Sequence, residues 1–372
     1  MPGQIIKRGE STWLVRIALG RDATGVRKYH NCTIRGSKRE AERYRIQKLR
    51  ELDTGTFVQP SSALLRDYLS SWLDTVAAPR VRPRTLDDYR SLVDRYITPS
   101  LGHRKMSHLH AAEIQQLYAE LAGRGLSPRT VRYVHSVLHS ALEQAVKWQV
   151  LSINPAKLVA LPRNERKEMR AFSVEQALRF LGASAGTRYF PLWQLLLTSG
   201  LRPGEALALK WSDLDGDRII VQRSLSWRKD GSWELCEPKT DRARRVVVIP
   251  RSTTKTLLSL RSEQAAQRLA CGPNWTDREL IFTNGTGGPL EWRVLSRRYF
   301  RPILQSAGLI GFRPYDLRHS CATLLLASGV NVKVVSERLG HASSALTLDV
   351  YSHTLPDMQQ QAADTLETIL SA

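Results

Sequence analysis

The spacing of apolar and polar positions changes along the chain. Residues 12–19 (TWLVRIAL) and 26–34 (VRKYHNCTI) alternate apolar and polar positions on either side of the turn-rich RDATG, which predicts a β-hairpin. QIIKR, just upstream, adds a third short strand. Ser37 and Glu40 have the spacing of a capping box, so a helix should begin at Ser37, with Tyr44, Ile46 and Leu49 as its apolar contacts. TFVQPSSA (56–63) has the composition of a linker. From Leu64 the period becomes helical, with Leu65, Tyr68, Leu69, Trp72 and Val76 on one face. A second helix is expected from Thr85, capped with Asp88 and carrying Leu86, Tyr89, Val93, Tyr96 and Ile97. A third covers 111–122, and a fourth runs from Ser127-Pro128 to Trp148, before INP stops it.

LPRNERKEMR (161–170) is polar, basic and aperiodic, and reads as a second linker. Beyond it, helices are expected at 173–182, 188–199 and 203–210. Strands follow near 218–226, 232–237 and 244–249, with turns at Lys229–Gly231 and Thr240–Ala243. Helices then return at about 252–270, 291–307, 315–328, 331–339 and 356–370. A chain of 372 residues is too long for one core. The expected fold class is multidomain α+β. A three-stranded-sheet-plus-helix domain spans 1–58, an all-α four-helix domain spans 61–160, and 161–170 is a linker. A mainly α domain with a small antiparallel sheet fills 171–372.

Charge narrows the function. The chain holds 55 Lys and Arg against 35 Asp and Glu, a net charge of +20. The surplus is spread, with 13 basic against 6 acidic residues over 1–60, 13 against 8 over 61–160, and 29 against 21 beyond. That distribution suits an extended polyanion such as nucleic acid better than a single membrane-docking helix. Cys32, Cys236, Cys271 and Cys321 form no CxxC pair, which argues against structural zinc and disulfides and fits a reducing compartment. MPGQIIKRGESTW lacks the apolar run of a secretory signal, and no apolar run approaches the ~20 residues that span a bilayer. An intracellular, soluble protein is expected.

Several stretches of the last domain carry candidate chemistry. TSGLRPGEALAL places Arg202 and Glu205 three residues apart at a helix start, on one face. EPKTDRARR places Lys239 at a predicted hairpin tip. YDLRHSCATLLL puts Arg318 and His319 in the first turn of a helix, where positive charge opposes the dipole unless an anion is near. LGHASSALTLDVYSH ends with Tyr351, ten residues after His341. Taken singly, each has a plain surface or turn reading.

In order and spacing, Arg202, Lys239, Arg318, His341 and Tyr351 resemble the active site of tyrosine site-specific recombinases, the phage-type integrase family. The likeness covers residues from about 170 to 372. It extends more loosely to the four-helix domain, which resembles the family's core-binding domain, and to the N-terminal module, which resembles its arm-type DNA-binding domain. The resemblance implies that Tyr351 attacks a DNA phosphodiester to give a 3′-phosphotyrosine. Arg202 and Arg318 would grip the phosphate, Lys239 would protonate the departing 5′ oxygen, and His341 would hydrogen-bond a non-bridging oxygen. Glu205 would orient its neighbours. Fixed guanidinium charge can neutralise the phosphate, so no metal or nucleotide cofactor is implied. The family usually has histidine three residues before its second arginine. Here that position is Tyr315, which can donate a hydrogen bond but offers no imidazole base, and His319 or His353 are candidate substitutes.

Other features keep plain readings. His135 and His139 (HSVLH) have metal-pair spacing without a third ligand, and NGTGGP (284–289) is a loop without the lysine of a phosphate cradle. Trp13, Trp72 and Trp148 are expected core anchors. Arg129 and Arg132, near a helix start, are candidate DNA contacts. Met358, Ala362, Leu366 and Ile369 form an apolar stripe that either folds back as core or docks on a neighbouring subunit. The resemblance further implies core-type and arm-type attachment sites in double-stranded DNA, a homotetramer on DNA, DNA-bending and directionality accessory proteins, and a cytoplasmic, nucleoid-associated location in a bacterial host. Three other readings compete with it. They are a type IB topoisomerase, a non-catalytic DNA-binding protein on the same scaffold, and a membrane-surface protein, for which no segment has a basic amphipathic face.

Overall fold

The computed structural model describes residues 3–21, 25–54, 57, 62–164, 169–237, 244–341, 343–351 and 358–371. The chain forms two compact units, Met1–Glu165 and Arg166–Ala372.

The first unit contains two separate cores. In the smaller, β1 (Gly3–Gly9), β2 (Thr12–Arg21) and β3 (Arg27–Arg35) form an antiparallel sheet in that order. The period of two turns Val15 and Ile17 to one face, where they are fully buried with Ala41 of α1 (Lys38–Asp53). The predicted capping box is present: the Glu40 carboxylate accepts from the Ser37 N–H at 2.6 Å, and the Ser37 hydroxyl accepts from the Glu40 N–H at 3.3 Å. Tyr44 and Leu49 pack on this core, but Ile46 lies off the buried face and is 61% exposed.

The larger core is helical. α2 (Leu65–Trp72) continues through a π-turn at Leu73–Ala77. α3 (Pro83–Leu92) continues the same way through Val93–Ile97 into α4 (Thr98–Leu101). The start expected at Thr85 moves back to Pro83, because proline at the first helical position loses no hydrogen bond and Arg82 takes the extended N-cap conformation. α5 (Ala111–Gly123) and α6 (Pro128–Lys147) complete the bundle, and Ser127 caps α6 through the Thr130 N–H. Leu65, Leu69, Ile97, Ile114, Val134 and Leu138 are sealed inside. Trp72 joins them, but Trp148 does not anchor the core. It sits just past α6, 47% exposed, with its ring edge toward Tyr68. His135 bonds the Tyr118 hydroxyl through Nδ1 at 3.1 Å, and no metal cluster exists among the described residues.

The second unit packs around Trp193, Phe172, Phe180, Phe300 and Leu317. α7 (Val174–Ser184), α8 (Phe190–Ser199) and α9 (Pro203–Leu207) come first. The single strand expected over 218–226 is two. β5 (Arg218–Val221) pairs with β4 (Leu214–Asp215) and β8 (Arg245–Val248), while β6 (Ser224–Trp227) pairs only with β7 (Trp233–Cys236). The break falls at Gln222 and Arg223, whose side chains both turn onto the buried carboxylate of Asp213, at 2.7 and 2.8 Å. β7 and β8 belong to different sheets. Residues 238–243, Lys239 included, lie outside the described part.

α10 (Arg251–Cys271), α11 (Trp292–Leu295) and α12 (Arg301–Ser306) follow, the last two joined by a π-turn at Ser296–Phe300. α13 (Asp316–Ala327), α14 (Val332–Leu339), α15 (Ser344–Tyr351) and α16 (Met358–Leu370) complete the chain. α15 was not anticipated from the sequence. On α16, the two described members of the stripe, Leu366 and Ile369, are 58% and 64% exposed, so neither is folded back as core, while the side chains of Met358 and Ala362 lie outside the described part. No helix among the described residues is long and apolar enough to cross a membrane.

Candidate active site

Two helix C-termini build the site. α8 ends at Gly200, whose left-handed φ of +68° reverses the chain. A Cβ there would lie 2.7 Å from Leu339 Cδ2, so only glycine fits. α14 ends at Gly340, also left-handed, with φ +66°. The last carbonyls of a helix lack partners within it and carry the negative end of its dipole. Here arginines satisfy them. Arg318 donates through Nη1 to the Gly200 carbonyl and through Nη2 to the Leu339 carbonyl, both at 2.7 Å. Arg338 reaches the Thr198 carbonyl at 2.6 Å, and Arg245 Nε reaches the Arg338 carbonyl at 2.7 Å.

This resolves the anomaly of Arg318 in the first turn of α13. Its side chain leaves the positive end of its own helix and sits between the negative ends of two others, only 2% exposed. Asp316, in the same first turn, supplies an anion to α13 and accepts from the Arg313 N–H at 2.7 Å. Burial, then the neighbouring Arg202, pushes the Arg318 pKa down. A guanidinium starts so high that it remains cationic at neutral pH.

Arg202 is the N-cap of α9, with Pro203 at the first helical position. Glu205 accepts from the Arg202 backbone N–H at 2.9 Å and from its Nη1 at 2.8 Å. The same carboxylate accepts from Arg245 Nη2 at 2.8 Å. Burial opposes the Glu205 charge, but hydrogen bonds and charge from Arg245 and Arg202 outweigh it, so the pKa falls below the usual carboxylate value. Burial likewise opposes the charge of Arg202, and Glu205 and Tyr315 more than offset it. Tyr315 sits at the N-cap of α13, 40% exposed, with its ring 5.1 Å from that of His319.

His341 follows Gly340. Its backbone N–H donates to the Ser336 carbonyl at 3.1 Å, and its Nδ1 lies 2.8 Å from Thr347 Oγ1 on α15. Burial, then Arg318, Arg202 and Arg245, lower its pKa to about 4, and burial lowers that of His319 to about 4. Both imidazoles are neutral at pH 7.

The structure thus brings together Arg202, Glu205, Tyr315, Arg318, His319 and His341. Tyr351 is the last residue of α15, and its side chain, with Lys239 and His353, lies outside the described part. Arg129 and Arg132 belong to the first unit, exposed near the start of α6, where Arg132 Nη1 donates to the Pro162 carbonyl at 3.0 Å. Arg245 and Thr347 were not singled out in the sequence. RARRVVV presents three arginines, Arg242, Arg244 and Arg245, and nothing in that run alone marks Arg245, whose place is set by the pairing of β8 with β5.

Known proteins carry the same architecture. The family model described as phage integrase family matches residues 167–358, and one described as phage integrase, N-terminal SAM-like domain, matches 64–122. The chain belongs to the phage integrase family. It is a tyrosine recombinase, an enzyme that cleaves and rejoins DNA strands in site-specific recombination. A tyrosine recombinase XerC-like protein of Caldanaerobacter subterraneus subsp. tengcongensis is 30% identical over 387 residues, covering 98% of each chain. Among solved structures, the Tn1549 transposon integrase in complex with a circular intermediate DNA superposes with a TM-score of 0.67 at 17% identity. That match covers 82% of this recombinase and 100% of that chain. A lambda integrase tetramer bound to a Holliday junction gives 0.56 at 19% identity over 92% and 97% of the two chains. Both structural likenesses concern the fold.

Proposed function

We propose that Tyr351 is the nucleophile and that Arg202, Arg318, His341, Tyr315 and Lys239 surround the scissile phosphate. The observation that carries this is the cluster around Glu205. Arg202, Arg245 and Arg318 face one carboxylate, so three positive charges against one leave a surplus of two in a largely buried site. A phosphodiester carries one negative charge, and a second develops on its non-bridging oxygens as attack proceeds. A fixed surplus of two therefore favours the transition state over bound DNA. Arg202 and Arg318 hold those oxygens, neutral His341 donates a hydrogen bond, and Tyr315 donates its hydroxyl where relatives use histidine. Tyr351 releases its hydroxyl proton to solvent as its oxygen bonds phosphorus, and Lys239 gives its proton to the 5′ oxygen as the P–O bond breaks. The 3′-phosphotyrosine keeps the bond energy for rejoining, and attack by a 5′ hydroxyl restores the diester.

At the level of biology, the enzyme integrates or excises a mobile element such as a prophage or integrative element. It acts at double-stranded core-type sites, with the N-terminal sheet module binding arm-type sites, and works as a homotetramer alongside bending and directionality proteins. Arg129 and Arg132 contact the duplex from the helical domain. The Tn1549 and lambda integrases, whose fold it shares, support this reading. The test uses a duplex selected from a random pool for tight binding to the full chain, placed twice on a supercoiled plasmid. Deletion or inversion between the copies is expected. Relaxation of plasmids lacking the sequence, without recombinants, would point instead to a type IB topoisomerase.

A further inference from the structure

Thr347 is fully buried, and its hydroxyl lies 2.8 Å from His341 Nδ1. It sits on α15 four residues before Tyr351, so the two positions share one face of that helix. His341 enters the site from the other side, directly after the left-handed Gly340 that ends α14. We infer that Thr347 is a positioning residue: its hydroxyl donates to His341 Nδ1, fixes the ring as the Nε2–H tautomer, and ties that ring to the helix bearing the nucleophile.

The argument is one of proton counting. A neutral imidazole has a single N–H. Non-bridging phosphate oxygens only accept, so a useful His341 must carry its proton on the nitrogen that faces them. A hydroxyl can donate or accept, and by donating to Nδ1 it leaves that proton on Nε2. The reverse arrangement would turn an Nε2 lone pair toward an anion. The link also makes the ring orientation depend on α15 being seated, so Tyr351 and His341 become competent together. This inference rests on the reading of His341 as a phosphate ligand.

The experiment labels the full-length protein with ¹⁵N-histidine and identifies the His341 ring by its loss in His341→Gln. At pH 7.5 the wild type should show a single neutral Nε2–H tautomer. Thr347→Val, which keeps the shape and removes the hydroxyl, should give averaged tautomers, and Thr347→Ser should restore the wild-type pattern. On a nicked duplex selected for tight binding, Thr347→Val should slow covalent adduct formation roughly three- to tenfold, the size of one neutral hydrogen bond. It should add no further loss in a His341→Gln background. A wild-type His341 protonated on Nδ1, or a Thr347→Val loss that is equal with and without His341, overturns the inference. If wild type forms no adduct at all, the proposed chemistry fails instead, and the tautomer spectra alone decide the role of Thr347.

Discussion

Arg245 and Glu205 form an ion pair in which Nη2 lies 2.8 Å from one carboxylate oxygen and Nη1 3.4 Å from the other, with both side chains about 7% exposed. Through this pair β8 holds the carboxylate that holds Arg202, while Arg245 Nε holds the end of α14 next to His341. One guanidinium fork thereby fixes two sides of the site.

Cutting this pair leaves a buried carboxylate with fewer partners. Arg245→Met should destabilise the protein by about 3 kcal/mol and slow strand cleavage at least tenfold. Arg245→Lys should recover part of the stability, because an ammonium cannot bridge both partners as the planar fork does. Denaturant midpoints and single-turnover adduct rates check both. The depressed pKa of Glu205 gives a contribution that is present above the ordinary carboxylate range, near 4.5, and lost as pH falls through its lower folded value. Arg245→Met should reduce that acid-dependent loss.

The two site histidines work in the same direction over a higher window. Both have folded pKa values of about 4 against an ordinary 6.5. Between those limits the unfolded chain binds protons that the folded chain refuses, so stability falls as pH drops from 6.5 toward 4. Each contributes at most about 1.4 kcal/mol per pH unit. His319→Gln should flatten the curve of denaturant midpoint against pH below 6.5. An unchanged slope would show that His319 protonates freely.

Gly340 has φ +66°, and a Cβ there would lie 2.9 Å from Arg245 Nη1. Gly340→Ala therefore combines left-handed strain of roughly 1–2 kcal/mol with displacement of the fork. Thermal unfolding should report the strain. A drop in adduct rate larger than the stability loss explains would report the displaced Arg245.

Tyr315 stands three residues before Arg318, at the N-cap of α13. Tyr315→Phe removes the hydroxyl beside Arg202 from a residue that is 40% exposed, so stability should hold within about 0.5 kcal/mol. Adduct formation should fall severalfold, and Tyr315→His should match or exceed wild type. Equal rates for all three proteins would remove Tyr315 from the phosphate site.

The parts of this fold legible in the sequence are those set by local rules. The Ser37 capping box, the Ser127-Pro128 helix start and the apolar stripe of α2 depend on residues a few positions apart. The candidate site residues are picked out as short segments matching a family pattern, and of these the structure places Arg202, Glu205, Tyr315, Arg318, His319 and His341 in the second unit. What escaped depends on long-range packing. The strand over 218–226 breaks because Asp213 draws in Gln222 and Arg223. Trp148 is exposed because α6 ends just before it. Arg245 matters only because β8 pairs with β5 and turns that one arginine toward Glu205. The anomalous charge of Arg318 was visible as a problem. Its solution, two carbonyls contributed from residues 118 and 21 positions away, was not.

The central claim is that Tyr351 attacks DNA with charge supplied by fixed arginines. The most direct measurement incubates the full-length protein with a nicked duplex selected for tight binding, in buffer without Mg²⁺ or ATP, and resolves the products on a denaturing gel. The account predicts a protein–DNA adduct with wild type and none with Tyr351→Phe, which should bind the duplex equally well. A tightly bound duplex that yields no adduct with wild type, or an adduct that persists in Tyr351→Phe, would contradict it.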